Sequence, residues 1–532
     1  KERVRLASTI LLLLSLGSLV AQTTFVPLDR FSTWTVERQL DTSASDFHPE
    51  IKPYSAWSVE SVGIRMSNRG GIMDRIGEKQ EVNGSYAEVC PRVNATGFYQ
   101  SGSSKSFSLE SHIGAGVYAG YKGKLMLNGD ILAGYNEPVK YIDKITDSLN
   151  MVPGFGPANR QGGYGFNQST FSLSWKPGRL VELHAGRGKH FIGEGYRSLF
   201  LSDYASNYNY MRTDVSVWRI KYMVLFTQMK SAQGYPQKID PKINKYSTMH
   251  YLSLNITKWW SVGAFEAVVW ESEDSVHNRQ LDINYFNPII FFRPIEYSIG
   301  SSDNSLLGFS STIRPIKGLT LYGQLMLDEF YWQDVVAPIY ARINPDSAIG
   351  TGSWRNKQSM QLGIKIHNLA DWKNSTIIAE MNVVRPYMYS HGNSNQNYMN
   401  FTQPLAHPLG SNFIEWLTFV AWQPARNWGF LWSATYSRKG YSTITKQAGE
   451  DPNISSAYLS NATEFGYYQL QGKLIDVANI RLQASYTIIH SWNLRAEASV
   501  HYRLERTSSS VNEVVMLSLG LRTAMWNEYR NL

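Results

Sequence analysis

The feature that most constrains this chain is a two-residue alternation of apolar and polar side chains, which recurs to the end of the sequence. Successive side chains of a β-strand point to opposite faces, so each such segment has one apolar and one polar face. Ile480, Leu482, Ala484, Tyr486 and Ile488 alternate with Arg481, Gln483, Ser485 and Thr487. Leu494, Ala496, Ala498, Val500 and Tyr502 alternate with Arg495, Glu497, Ser499, His501 and Arg503. Val515, Leu517, Leu519 and Leu521 do the same with Met516, Ser518, Gly520 and Arg522, and Met360, Leu362, Ile364 and Ile366 with Gln361, Gly363, Lys365 and His367.

A soluble sandwich has the same period, so length and spacing must decide. These strands run to about ten residues or more, enough to cross a bilayer when tilted. Tight connections at Lys122-Gly123, Lys317-Gly318 and His490-Ser491-Trp492-Asn493 alternate with long polar segments at 136–167, 187–211, 271–304, 391–410 and 439–478. Outer-membrane barrels show this asymmetry, with tight periplasmic turns and larger outside loops. Trp259, Trp260, Trp372, Trp422, Trp428 and Trp492 fall beside the short turns, where an interfacial girdle belongs. The pattern predicts an all-β fold, a transmembrane antiparallel barrel of about 18 strands (16–18), an even number because both ends belong in the periplasm. The strands are placed near 85–98, 105–120, 124–135, 168–176, 180–187, 211–217, 219–229, 248–256, 261–270, 304–314, 318–328, 357–367, 374–386, 411–423, 427–438, 478–489, 493–505 and 512–523.

Ahead of the barrel, residues 1–21 read as a secretory signal peptide: Lys1, Arg3 and Arg5 precede an apolar stretch from residue 10 to 16, and Ala21 is a small residue at the expected cleavage position. Residues 22–84 lack the strand rhythm and are expected to form a periplasmic N-terminal extension, with a short helix over 71–80. Residues 85–532 are the barrel. No later segment approaches the ~20 apolar residues of a membrane helix. The single cysteine, Cys90, excludes an intramolecular disulfide framework and any multi-cysteine metal site. The formal charge of +8 is a mild basic excess that suits lipopolysaccharide beside outer-membrane lipid. No basic helix or run points to nucleic acid.

Four sets of segments carry a family resemblance: residues 46–54 (DFHPEIKPY); residues 186–198 (GRGKHFIGEGYRS) with Leu201-Ser202-Asp203; Phe286-Asn287-Pro288 with residues 293–297 and 300–304; and residues 403–412 (QPLAHPLGSN). The chain resembles the RemB-like gliding-motility outer-membrane proteins of Bacteroidota, which are similar to the Wzi capsule-assembly barrel family. The resemblance runs from about residue 47 onward. It implies a cell-surface barrel tied to gliding motility, type IX secretion or attachment of surface polysaccharide, with secretion and motility proteins as further partners. It carries over no catalytic motif.

The inward strand face holds charges of both signs: Glu110, Asp130, Lys365, Glu380, Arg481, Arg495, Glu497 and Arg503. They fit a porin-like solute pathway or ion pairs packed behind a plugging loop, and the many long loops favour the plug. Residues 190–210 are rich in Tyr, Asn, Ser and Gly, a composition suited to sugars because rings cover apolar sugar faces while amides bond hydroxyls. Tyr196, Arg197, Asp203, Tyr208 and Tyr210, with His407, are the candidate surface-loop binding residues. His391 near Ser394 raises an outer-membrane hydrolase, but both lie in one Asn-rich loop that reads as loop chemistry. The expectation is therefore no catalytic residue, no cofactor and no metal.

Overall fold

The computed structural model describes residues 25–40, 47–61, 85–101, 107–149, 151–157, 159–160, 163–231, 243–272, 285, 303–328, 336, 342–343, 352–370, 372–444, 446–456, 465–490 and 492–532. The signal segment, the expected helix over 71–80 and the motifs at 286–302 lie outside these residues. Eighteen strands form one closed antiparallel barrel. In chain order they are β1 (Ser85–Gln100), β2 (Phe107–Tyr121), β3 (Leu125–Asn136), β4 (Tyr164–Trp175), β5 (Val181–Gly188), β6 (Tyr208–Val217), β7 (Ile220–Lys230), β8 (Asn244–Asn255) and β9 (Trp260–Glu271). Then follow β10 (Asn304–Ile316), β11 (Leu319–Leu327), β12 (Gln358–His367), β13 (Ser375–Val384), β14 (Phe413–Trp422), β15 (Trp428–Tyr441), β16 (Lys473–Ile489), β17 (Leu494–Arg506) and β18 (Val511–Thr523). Each pairs with its chain neighbours, and β18 closes onto β1 through Asn94↔Arg522 to Gln100↔Met516. Closure removes every sheet edge, the condition for a sheet to span lipid. All 18 expected strands are present, including the pair split at Trp218-Arg219, where Trp218 takes a φ of 54° in a two-residue turn.

The two faces differ as the alternation requires. Ile113, Ile131 and Leu519 are 70%, 71% and 71% exposed on the outside, in a belt that includes Leu173, Leu362, Leu482 and Leu517. Exposed apolar surface on this scale belongs against lipid. Trp175, Trp218, Trp259 and Trp428 are exposed near the short-turn end, at the position of an interfacial girdle. The barrel is an outer-membrane barrel.

The interior is filled. Among the described residues two helices precede the barrel, α1 (Arg30–Leu40) and α2 (Ala56–Ser61), and they lie within its short-turn end. Trp57 Nε1 donates to Gly123 O at 2.8 Å, and Arg495 of β17 meets Asp29 at 3.1 Å. The expected separate extension is thus, over residues 25–40 and 47–61, a plug: α1 carries Arg30, Glu37 and Arg38 into the lumen, and a segment without strand rhythm can be buried there because the wall supplies its polar partners. From the long-loop end, residues 189–207 descend to meet it. Ile51–Lys52 pairs antiparallel with Phe191–Ile192, and Gly193 N donates to Glu50 O at 2.7 Å. Gly193 sits at φ 148°, and a Cβ there would come 2.6 Å from Gln324 Nε2, so the approach requires glycine. Residues 385–412 also fold inward: Tyr389, Tyr398, Leu405 and Ala406 are fully buried. After β18, residues 524–532 turn into the lumen, where Arg530 meets Glu110 of β2 at 2.7 Å.

The faces give a direct test. Leu519→Arg should cost ~2–4 kcal/mol at the lipid face and reduce the heat-modifiable, folded band on unheated gels. Ser518→Arg, on the inward face beside Ser499 Oγ (2.7 Å), should retain more of that band. Equal loss from both would mean the faces are misassigned.

Candidate functional site

The expected surface-loop residues are not on the surface. Tyr196, Arg197, Asp203, Tyr208, Tyr210 and His407 are all buried within the barrel. Their loop composition is polar because it must be satisfied internally, not because it faces water. Tyr196 stacks on Phe419 with ring centroids 3.9 Å apart. Arg197 pairs with Glu415 of β14 at 2.8 Å, and His407 Nε2 lies 2.7 Å from the same carboxylate. Asp203 accepts from Asn527 Nδ2 at 2.7 Å and from the Tyr529 hydroxyl, with Arg30 at 3.5 Å. Tyr196, Arg197, Asp203 and His407 are therefore tied into one plug–wall network. Tyr208 and Tyr210 lie apart from it, flanking His190.

His391 is tied to its own loop, in which Ser394 opens a 3-10 turn. His391 Nδ1 accepts from Asn393 N at 3.1 Å, and Asn393 caps the 3-10 turn at Ser394–Gln396 by accepting from Asn395 N at 3.0 Å. The Asn393 and Asn395 amides both donate to Glu271 of β9. Among the described residues one group has the spacing of metal ligands, Glu182, His184 and Asp214. Arg212 (2.7 Å) and Lys221 (3.2 Å) hold Asp214, and Lys176 (3.0 Å) holds Glu182. Three cations already neutralise the two carboxylates, so the set does not fit a metal ion.

The feature that can receive a ligand lies at the long-loop end, a cavity of about 520 Å³ above the filled lumen. Its walls come from α3 (Lys140–Leu149), the inward loops, the ends of β15 and β17, and residues 450–453. Tyr141, Tyr204 and Tyr441 contribute rings; Lys144, Lys439 and Arg503 contribute cations; Glu450, Asp451 and Glu505 contribute carboxylates. Internal bonds fix these groups in advance. Glu450 accepts from Ser442 N at 2.9 Å and Ser442 Oγ at 2.7 Å. Asp451 Oδ1 accepts from Asn453 N and Nδ2, both at 2.9 Å. Arg503 pairs with Glu505 at 2.7 Å and stands 4.7 Å over the Tyr141 ring. Of this set the sequence singled out only Arg503, as an inward charge; the others come from separate segments that only barrel closure brings together. The position of Lys439, Tyr441, Arg503 and Glu505 at the long-loop ends of strands was the one available signal.

No protein-family model matches the chain, and no curated protein matches it in sequence. Among solved structures the fold matches Wzi of Escherichia coli, described as an outer-membrane protein involved in group 1 capsule assembly and a carbohydrate-binding β-barrel. That match has a TM-score of 0.55 at 12% identity and covers 95% of this chain and 100% of Wzi. A variant of OccD1 (OprD) matches at TM-score 0.42 and 8% identity, over 82% of this chain and 94% of that one. Pseudomonas aeruginosa OccK5 (OpdH) matches at TM-score 0.44 and 7% identity, over 82% and 96%.

The buried histidines set the acid limit of the plug. Burial holds His407 down to about 4 against the pull of Glu415, and burial with Lys221 and Arg314 nearby holds His48 down to about 3. An unfolded imidazole takes its proton near 6.5. At these two groups the unfolded chain binds more protons between those values and 6.5, so their contribution to stability falls as pH drops through that window and levels off below each folded value. Relative to the unaltered protein, His407→Gln should therefore lose less of its thermal midpoint in detergent between pH 6.5 and 4. An equal loss in that variant would remove His407 as a source.

Proposed function

We propose that the protein is a non-enzymatic platform at the cell surface that holds surface polysaccharide in the cavity at its outward mouth. One observation carries the reading: a cavity of about 520 Å³, walled by tyrosines and fixed charged groups, lies over a lumen packed with protein. Its size falls within the ~300–1,000 Å³ of small-molecule sites. Rings suit the apolar faces of sugars, and fixed carboxylates and amides suit their hydroxyls. The fold shared with a barrel described as carbohydrate-binding supports the same reading. The resemblance of the loop motifs to RemB-like proteins suggests where such a platform would work, in polysaccharide attachment linked to gliding or type IX secretion. A porin-like role is disfavoured by the buried plug and its ion pairs, and the hydrolase reading is disfavoured because His391 Nδ1, its base, accepts from Asn393 N within its own loop.

Binding of purified surface polysaccharide to the detergent-solubilised protein tests this. Tyr441→Ala should weaken binding by about tenfold, the loss of one aromatic wall worth ~1.5 kcal/mol. His391→Ala should leave it unchanged. Absence of saturable binding by the unaltered protein, or a large unitary conductance in planar bilayers, would sink the proposal.

A further inference from the structure

Below the outer cavity, between the plug and the inner wall of β14 to β18, lies a second cavity of about 70 Å³. The strand register locates it. Ser437, Val477 and Glu505 face one another across β15, β16 and β17 at the outer cavity; Thr435, Asn479 and Arg503 form the next inward row; Ser433, Arg481 and His501 form the row beneath. The smaller cavity opens on that lowest row, with Gln483 one step further along β16.

Nearly every charge around it has a counter-charge. Arg30 pairs with Asp203 and Asp29 with Arg495. Arg522 pairs with Glu497 and Glu528, both at 3.1 Å, and Arg530 with Glu528 (2.9 Å) and Glu110 (2.7 Å). Arg481 is the exception. Its Nε is buried without a partner, and its guanidinium makes no ion pair or hydrogen bond with any described residue. The carboxylates whose fields reach it, Glu528 and Glu497, are already held by other arginines, and Arg530 and Arg522 add like charge. A guanidinium cannot shed its proton, and here its two terminal nitrogens are left open to the cavity with no counter-charge from the chain, a fork an anion can complete.

We propose that this inner cavity binds one small free oxyanion, of the class of inorganic phosphate or sulfate, with the Arg481 guanidinium as its principal donor. The planar fork matches two oxygens of such an ion. The Ser433 hydroxyl, directly across the strand pair, and the Gln483 amide, two residues along the same face, supply further donors. The volume corresponds to a handful of waters, at ~10–15 Å³ each on the same measure, or to one tetrahedral oxyanion. The site is separate from the outer cavity and does not depend on the polysaccharide reading.

Trp34 and Trp526 line the cavity, so their fluorescence reports occupancy. The full protein in detergent is titrated with sodium phosphate, sulfate, chloride and glucuronate at constant ionic strength, alongside calorimetry. Phosphate or sulfate should give a saturable response, weakened at least about tenfold in Arg481→Gln and partly retained in Arg481→Lys, which keeps the charge but loses the fork. In anion-free buffer Arg481→Gln should be no less heat-stable than the unaltered protein, because the substitution breaks no bond within the chain. A linear response in the unaltered protein, or equal saturation in both variants, overturns the site. Saturation by glucuronate but not phosphate would give the cavity to an acidic sugar and overturn the free-ion assignment. Should neither variant assemble, the titration of the unaltered protein decides alone, since saturation by phosphate or sulfate without saturation by chloride is the result the proposal requires.

Discussion

The structure depends on one buried cation, Lys365 of β12. Its Nζ lies 2.7 Å from Glu37 of α1 and 2.9 Å from Glu194 in the inward loop, with all three side chains nearly solvent-free. Glu37 arrives from the short-turn end and Glu194 from the long-loop end, so a single wall residue fixes both halves of the plug. Lys52 adds to Glu37 at 3.3 Å, Arg314 of β10 to Glu194 at 2.7 Å, and the Tyr54 hydroxyl donates to Glu37 at 2.9 Å. Removing these groups from water costs several kcal/mol per ion, largely recovered only when every partner is in place. Such a cluster is poor evidence for net stability. It does define position, because a plug displaced by one turn would leave charges of both signs buried and alone. Glu50, next to Glu194, already shows the tension: burial and that neighbour push its carboxyl up to about 7.

Around this centre the interior is not uniform. Toward β7 to β9 the plug meets the wall through apolar contacts, with Leu199, Phe200 and Leu201 against Met223, Leu225, Met249 and Phe265, and the Phe200 and Phe265 rings stacked at 5.0 Å. Toward β14 to β18 it meets the wall through arginines, carboxylates and tyrosines. One side behaves as a protein core and the other as a polar seam, and the outer cavity of about 520 Å³ and the smaller one beneath it both open on the polar side.

The barrel was legible in the sequence because lipid on one side and polar contacts on the other impose a period of two on each strand. Where that contrast fails the reading weakens. In β7, Tyr222, Met223, Val224, Leu225 and Phe226 are apolar in succession, since lipid covers one face and the plug's apolar cluster the other. The inward loops were misread for a related reason. Residues 189–207 look like an outside loop by composition, yet Arg197, Ser198 and Asp203 are buried because Glu415, Gln324 and Tyr529 complete them from distant strands or the segment after β18. No local pattern reports a partner hundreds of residues away. The candidate site failed to show for the same cause: Tyr141, Tyr204, Tyr441 and Arg503 become neighbours only in the closed cylinder.

The two-stranded join between Ile51–Lys52 and Phe191–Ile192 also couples the two mouths of the cylinder. The first partner precedes β1 in the chain, and the second lies between β5 and β6. Neither segment has its full set of backbone partners without the other, so a displacement of either one along the lumen breaks backbone bonds to its partner. What happens at one end of the barrel is mechanically tied to the other through four residues.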